Sequence, residues 1–228
     1  MYVLGIDTST MTGGAAVVKD GQLVGEYVLN IRTTHSERLL PAIERLLKDA
    51  GLSLEEIDGI AVAVGPGSFT GIRIGVATAK GFAYALNKKL VGVTALEAFG
   101  RQFQAFPGVV VAMIDSRRSE VYAQAFSGGN PLAEPQNCHI DEVLQWCRSQ
   151  VQPCLLVGDG AIAYREQIAA GLPEAVFPPQ EFALLRPAAV AALGWEKLKE
   201  GQHSDVFAVN PVYLRKTEAE IKWMARNQ

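Results

Sequence analysis

The chain predicts an α/β fold built from two related α/β halves, and three observations carry this. An apolar run ending in aspartate occurs twice, as GIDTST at residues 5–10 and MIDSRR at 113–118. Each run is followed by an alternating strand pair and then by helices. Pro107-Gly108 breaks the pattern between them. Self-similarity of this kind fixes architecture before any local detail does. The first half is read as residues 1–104 and the second as 105–228, with the break near 101–108.

Residues 2–6 form a short apolar strand. Residues 13–31 then read as two strands around Asp20-Gly21, a strong hairpin signal. Residues 35–50 make an amphipathic helix, with Leu39, Leu40, Ile43, Leu46, Leu47 and Ala50 on one face. Thr34 and Glu37 have capping-box spacing, Ser36 is a second capping candidate, and Gly51 ends the helix. Pro41 conflicts with this start because it lacks an N–H, so the helix begins later or kinks there. Residues 57–64 predict a buried strand, 70–86 a helix and 89–93 a short strand. After the break, strands are expected at 109–114, 120–126 and 154–157. Helices are expected at 140–149, 161–170 and 183–200.

Composition excludes several classes. The 228 residues are 49% hydrophobic and 20% charged, with net charge −3, which is ordinary globular material. No block of Lys and Arg stands out, so work on RNA would need a basic partner. Cys138, Cys147 and Cys154 are odd in number and lack CxxC spacing. That reads as free thiols, buried as small apolar residues in a reducing compartment. No basic region precedes Asp7 and no apolar run reaches membrane-helix length, so no membrane partner is expected and a cytoplasmic location is the default.

VGPGSFTGIRIG, residues 64–75, sits where many proteins hold phosphate. It fails both standard tests. Walker A spacing from Gly65 puts Thr70 where glycine is required, and GxGxxG meets Thr70 as well. Two readings stay open, a phosphate loop or a tight turn that starts a helix capped by Ser68 and Thr70. That helix has an apolar face of Ile72, Val76, Ala79, Ala83 and Leu86. A second face holds Gly71, Gly75, Thr78 and Phe82, and Arg73 and Lys80 mark a narrow polar strip. Small residues permit close backbone approach, either by the chain's own core or by another chain.

Asp7, Thr8, Ser9 and Thr10 with Gly13 and Gly14 form the other candidate. An acid and hydroxyls entering a hairpin can hold Mg²⁺ or phosphate oxygens, though the same residues are good turn formers. His35, His139 and His203 show no HExxH spacing, there is no GxSxG elbow, and no complete catalytic set emerges.

GIDTST, THSERLLP, VGPGSFTGIRIGVATAKGFA, IDSRRSEVY and PVYLR, taken in this order, resemble the TsaB (YeaZ) family of bacterial tRNA threonylcarbamoyladenosine biosynthesis proteins. The resemblance implies the duplicated actin/Hsp70/sugar-kinase (ASKHA) fold. It implies a non-catalytic partner of the paralogue TsaD, which modifies the adenosine 3′ of the anticodon, with the P-loop ATPase TsaE completing the assembly. tRNA would be met only through the complex, and a homodimer would form without TsaD. TsaD carries HHMEGH after a similar loop, helix and strand. Here Ala95 and Phe99 stand where its two metal-binding histidines would be, so no metal site is expected.

The resemblance further implies an interface on the two helices: His35, Arg38 and Leu39 on the first, with Ser68, Thr70, Gly71, Ile72, Arg73, Gly75, Val76, Ala79 and Phe82 on the second. Any ATP or ADP with Mg²⁺ would lie near Asp7, Thr8, Ser9, Thr10 and Gly13 or at the interface with TsaD. An independent ATP-dependent phosphotransferase is the alternative, and a peptidase is a third reading.

Overall fold

The computed structural model describes residues 1–31 and 34–215; residues 32–33 and the end of the predicted tail, 216–228, lie outside the described residues. The first half opens as a meander of β1 (Tyr2–Asp7), β2 (Thr12–Lys19) and β3 (Gln22–Asn30), turning at Asp20 and Gly21, both with positive φ. α1 (His35–Ala50) follows and ends at Gly51 in the left-handed region. Then come β4 (Gly59–Ala63), α2 (Phe69–Ala85), β5 (Lys89–Val93) and α3 (Ala95–Gln102). The sheet order is β3-β2-β1-β4-β5, with β1 antiparallel to β2 and parallel to β4.

The second half repeats this wiring. β6 (Val109–Arg117) pairs antiparallel with β7 (Glu120–Ser127), whose other edge carries β8 (Asn130–Pro131) and β9 (Gln136–His139). After α4 (Ile140–Arg148), β10 (Cys154–Val157) returns parallel to β6. The next parallel strand survives only as a bridge between Leu155 and Val176. α5 (Asp159–Ala163), α6 (Arg165–Gly171) and α7 (Pro187–Lys199) complete the order. The duplicated α/β architecture read from GIDTST and MIDSRR is therefore present, with the outermost parallel strand of the second half reduced to a bridge.

The halves are interlocked. α3, from the first half, packs on β6 and β7, while α7, from the second, lies across β1, β2 and β4. Their apolar faces fill one core between the sheets, with Phe99, Phe126, Leu185 and Val190 fully buried. Gly5 leaves room for α7: a Cβ there would stand 2.5 Å from the Ala191 backbone nitrogen. Polar ties hold the helices in register. Lys197 Nζ reaches Glu97 at 3.1 Å, Arg101 Nε donates to Glu196 at 2.9 Å, and Arg186 pairs with the buried Glu26. A cut at 104/105 divides the two sheets but not the packing.

Four local readings are corrected. α1 runs from His35 through an exposed Pro41, and its N-cap Thr34 makes no capping bond. Thr34 Oγ1 lies 3.1 Å from Ser36 Oγ instead, and neither hydroxyl caps as expected. α3 was not predicted, although its capping box is formed, Thr94 Oγ1 accepting from Glu97 N at 3.1 Å and Glu97 Oε2 from Thr94 N at 2.8 Å. The helix expected at 161–170 splits at Tyr164, whose hydroxyl donates to Asp115 at 3.0 Å. The last helix starts at Pro187, because the residue before a proline is pushed to extended backbone, as Arg186 is at φ −105 and ψ 129.

Shared packing of α3 and α7 predicts one cooperative unfolding transition for both halves. Gly5→Ala pushes α7 off the first sheet and should cost about 1–3 kcal/mol, as overpacking does. Urea unfolding followed by tryptophan fluorescence and by far-UV circular dichroism checks this. The midpoint should fall with the transitions still coincident; two separate transitions would contradict the interlock.

Candidate functional site

A cleft of about 700 Å³ lies between the halves. One wall is the Ser9–Met11 turn, the start of α1 and the start of α2; the other is Ile114–Arg117, Tyr122 and Asp159. The two repeated aspartates differ in exposure: Asp7, the last residue of β1, is buried, and Asp115, inside β6, is half-buried.

Asp7 is fully buried at the end of β1. Its Oδ1 accepts from Ser9 N at 2.9 Å and Ser9 Oγ at 2.7 Å, a turn that aspartate forms readily. Its Oδ2 has no hydrogen-bond partner among the described residues. Burial raises its pKa from 3.8 to about 6, against the lowering effect of Ser9. Thr8 Oγ1 donates to the Gly71 carbonyl at 2.7 Å and Thr10 Oγ1 to the Thr12 carbonyl at 3.2 Å. Thr8, Ser9 and Thr10 are all buried. Each hydroxyl predicted to face a phosphate is thus committed inside the chain.

The glycines of residues 64–75 explain why. A Cβ on Gly67 would run into the Ser9 carbonyl, and Ser68 N donates to that carbonyl at 2.6 Å. A Cβ on Gly71 would strike the Thr8 carbonyl, and one on Gly75 the Thr8 hydroxyl. The loop and the inner face of α2 are glycine-rich so that they can sit on the Thr8–Ser9 turn. Ser68 caps the helix, accepting from Gly71 N at 3.2 Å.

His35 and Arg38 clamp the same turn from α1. His35 Nε2 lies 2.7 Å from the Thr10 carbonyl, and its Nδ1 lies 2.9 Å from Arg38 Nη2. A carbonyl accepts and a guanidinium donates, so the ring is neutral with its proton on Nε2. Burial, with the charge of Arg38 adding to it, holds the His35 pKa below its ordinary value. Arg38 also donates to the carbonyls of Met11, Leu29 and Ile31. The ring fills the space beside Gly13, where a Cβ would lie 2.6 Å from the imidazole. Leu39 is buried in the core under α1.

The expected interface on α2 therefore divides. Gly71, Ile72, Gly75, Val76 and Ala79 are buried against the chain's own β1 turn and α1, and so are not available to another chain. Phe82 is half-buried against the same core. Thr70, Ala77 and Gly81 are exposed, with Ile74 half-buried among them, and a Cβ on Gly81 meets open space. Spaced four, three and four apart, these four share one face. Sequence reasoning missed Ile74, Ala77 and Gly81; their signal was their place beside the Arg73 and Lys80 strip. The 204–215 tail covers one flank of this face. Arg73 stacks on Phe69 and donates to the Tyr213 hydroxyl at 2.9 Å, and Lys80 reaches the Phe207 carbonyl at 3.3 Å.

Across the cleft, Asp159 Oδ1 accepts from Asp115 N at 3.2 Å. Burial, with the Asp115 charge adding, raises its pKa from 3.8 to about 6. Arg117, Arg118 and Ser119 turn the hairpin with positive φ at all three positions. Arg215 ties this turn to the tail, donating to the Ser116 carbonyl at 3.1 Å and pairing with Glu120 at 3.2 Å.

Comparison with known proteins agrees with this architecture. The family model described as TsaD, tRNA N6-adenosine threonylcarbamoyltransferase, matches residues 23–223. A Bacillus subtilis relative, the tRNA threonylcarbamoyladenosine biosynthesis protein TsaB, is 33% identical over 98% of each chain. The chain belongs to the TsaB (YeaZ) family. The solved structure of YeaZ from Pseudomonas aeruginosa superposes with a TM-score of 0.75 at 26% identity, over 93% of this chain and 99% of that one. A Thermus thermophilus ROK hexokinase shares the fold alone, with a TM-score of 0.51 at 12% identity over 88% of this chain and all of that one.

The ASKHA fold raises the question of a magnesium nucleotide on the first hairpin, and the TsaB-family residues present do not fit one. The hydroxyls of Thr8, Ser9 and Thr10 hydrogen-bond within the chain, and the Asp7 carboxylate is fully buried behind the cleft wall that Ser9 and Thr10 form. Among the described residues no three acids, histidines or cysteines gather to hold a metal. Ala95 and Phe99 are themselves core residues of α3, fully buried.

Asp7 gives a pH test. Its folded pKa is raised, so its burial penalty is largest above pH 6 and is relieved as pH falls toward 3.8. The span from 3.8 to about 6 corresponds to roughly 3 kcal/mol. Asp7→Asn removes this titration while an amide oxygen still accepts from Ser9. The stability of wild type relative to Asp7→Asn should rise by roughly 2 kcal/mol between pH 7.5 and pH 4, most of that span. Urea unfolding at both pH values measures it, and a flat difference would mean that Asp7 is not desolvated.

Proposed function

We propose that the chain is a non-catalytic partner subunit in threonylcarbamoylation of the tRNA adenosine 3′ of the anticodon, acting by binding and activating TsaD. Family membership supports the role in tRNA threonylcarbamoyladenosine biosynthesis. The observation that supports the partner role is the outward face of α2, where Thr70, Ile74, Ala77 and Gly81 offer a smooth, small-residue surface beside α1. Close helix approach across such a face gives a second chain a large contact area with little side-chain ordering cost.

In this reading TsaD is the principal partner, and a second copy of the chain takes its place when TsaD is absent. TsaE joins the assembled complex, and tRNA is met only through it. Because the hydroxyls of the first hairpin are committed inside the chain and Asp7 is fully buried, ATP or ADP with magnesium belongs at the interface with TsaD rather than on Asp7–Gly13. No helix among the described residues is long and apolar enough to cross a membrane, and the reading places the chain in the cytoplasm. The internally bonded hydroxyls of the first hairpin weigh against an independent phosphotransferase, and the apolar Ala95 and Phe99 weigh against a metal-dependent peptidase.

The test is reconstituted tRNA modification with TsaD, TsaE and a threonylcarbamoyl-adenylate supply, with and without this chain. Product should depend on the chain. Ala77→Arg, at an exposed position, should leave the fold intact and weaken co-elution with TsaD by about thirtyfold or more, the loss of one roughly 2 kcal/mol hot spot. Product formed equally without the chain would reject the partner role. Unchanged binding by Ala77→Arg would reject this face.

A further inference from the structure

We propose that residues 204–215 are a latch, a strap that holds the Arg117–Ser119 turn of the cleft wall in place while it lies on α2. The proposal does not depend on the partner role. After α7 the chain returns to the first half. Ser204 N donates to the Leu90 carbonyl on β5 at 3.1 Å, and Val212 N donates to the Val64 carbonyl at 2.7 Å. Val206, Val209 and Val212 pack on the first-half core. A Cβ on Gly65 would stand 2.6 Å from the Val212 carbonyl oxygen, so the strap lies directly on this backbone. Its outer residues run antiparallel to α2. Phe207 meets Tyr84 near the helix end, with ring centroids 5.8 Å apart. Tyr213 meets Phe69 near the helix start at 5.0 Å, and its hydroxyl accepts from Arg73 Nε at 2.9 Å.

The strap then crosses to the second half and brackets the turn. Arg215 donates to the Ser116 carbonyl at 3.1 Å and pairs with Glu120 at 3.2 Å. Between these two points Arg117, Arg118 and Ser119 have φ of 69, 59 and 61. Three consecutive residues other than glycine in the left-handed region persist only where their surroundings hold them there. Some holds come from the second half itself. Asp115 Oδ1 accepts from Arg117 N at 2.8 Å, the Ser119 carbonyl accepts from Ile140 N at 2.9 Å, and Ser116 Oγ donates to Asn137 Oδ1 at 2.7 Å. Arg215 adds a hold that depends on where the strap lies.

Ser116 and Arg117 line the cleft from one side, and Phe69 lines it from the other while stacking on Tyr213. A continuous series of contacts therefore runs from the flank of α2 through Arg73, Tyr213 and Arg215 to the cleft wall. Lifting Tyr213 off Arg73 and Phe69 withdraws Arg215, and the turn is then free to leave the left-handed region. A change on the α2 flank is felt in the cleft, and a change in the turn is felt on α2 by the same amount, since such coupling is reciprocal.

The experiment is hydrogen exchange of the folded full chain, read by mass spectrometry on peptides covering 114–122. Wild type is compared with Arg215→Ala, Tyr213→Ala and Arg73→Ala. Among the described residues Arg73 bonds to Tyr213 and neither bonds to the turn. Exchange in these peptides should be about fivefold faster in all three variants, because losing one charge-assisted hold opens the turn more often. Peptides from β1 and α7 should keep the wild-type rate, as the fold is intact. An unchanged rate in Arg215→Ala would mean that the turn holds itself. A faster rate in Arg215→Ala alone, with Tyr213→Ala and Arg73→Ala at the wild-type rate, would mean a local tie with no link to α2. Either result overturns the proposal.

Discussion

Everything in the first half is organised by the direct seating of α2 on the Thr8–Ser9 turn. Gly71 and Gly75 carry no side chain where the helix meets Thr8, and Thr8 returns a hydrogen bond to the Gly71 carbonyl. Gly67 and Ser68 complete the seat on the Ser9 carbonyl. The seating buries Asp7, turns three hydroxyls inward and fixes which face of α2 is left outside. A segment that looks built for phosphate is instead built for backbone contact.

The seat is reinforced from two directions. His35 and Arg38 bind the carbonyls of Thr10 and Met11 from α1, so the turn is held on both sides. α7 supports the opposite face of the sheet, and the polar ties of Glu26, Glu97 and Glu196 set its position. Burying Asp7 without a full set of donors costs stability near neutral pH, the usual penalty for a desolvated carboxylate. A neutral His35 acts oppositely: with its folded pKa depressed, its contribution is complete above the ordinary histidine value and fades as pH falls. The site trades local stability for a rigid base beneath an exposed helix face.

Much of this was legible in the residues. Asp20-Gly21 specifies its hairpin, Gly51 its helix end, and the repeated strand-Asp pattern the duplication, because each follows from local backbone chemistry. The side of α2 that meets its own chain was not legible. A glycine stripe looks the same whether its neighbour is Thr8 or another protein, and only the distance to Thr8 separates the two. The resemblance implied an interface for His35 and Arg38, and nothing local shows that Thr10 and Met11 also offer them carbonyls. α3 was missed although T-x-x-E was visible at Thr94, because eight residues give too short an apolar period to stand out. Resemblance pointed to α1 and α2, and the packing decides which of their faces are exposed.

The most direct test of this account is the reactivity of a thiol placed at two points on α2. In Ala77→Cys the new thiol lies outward and in Ala79→Cys inward. Alkylation would be followed by peptide mapping, with and without TsaD. The account predicts fast labelling at position 77 that slows at least about tenfold on adding TsaD, as burial at an interface core requires, and no labelling at position 79 in either state. Position 77 labelling unchanged by TsaD, or position 79 reactive in the free chain, would contradict it.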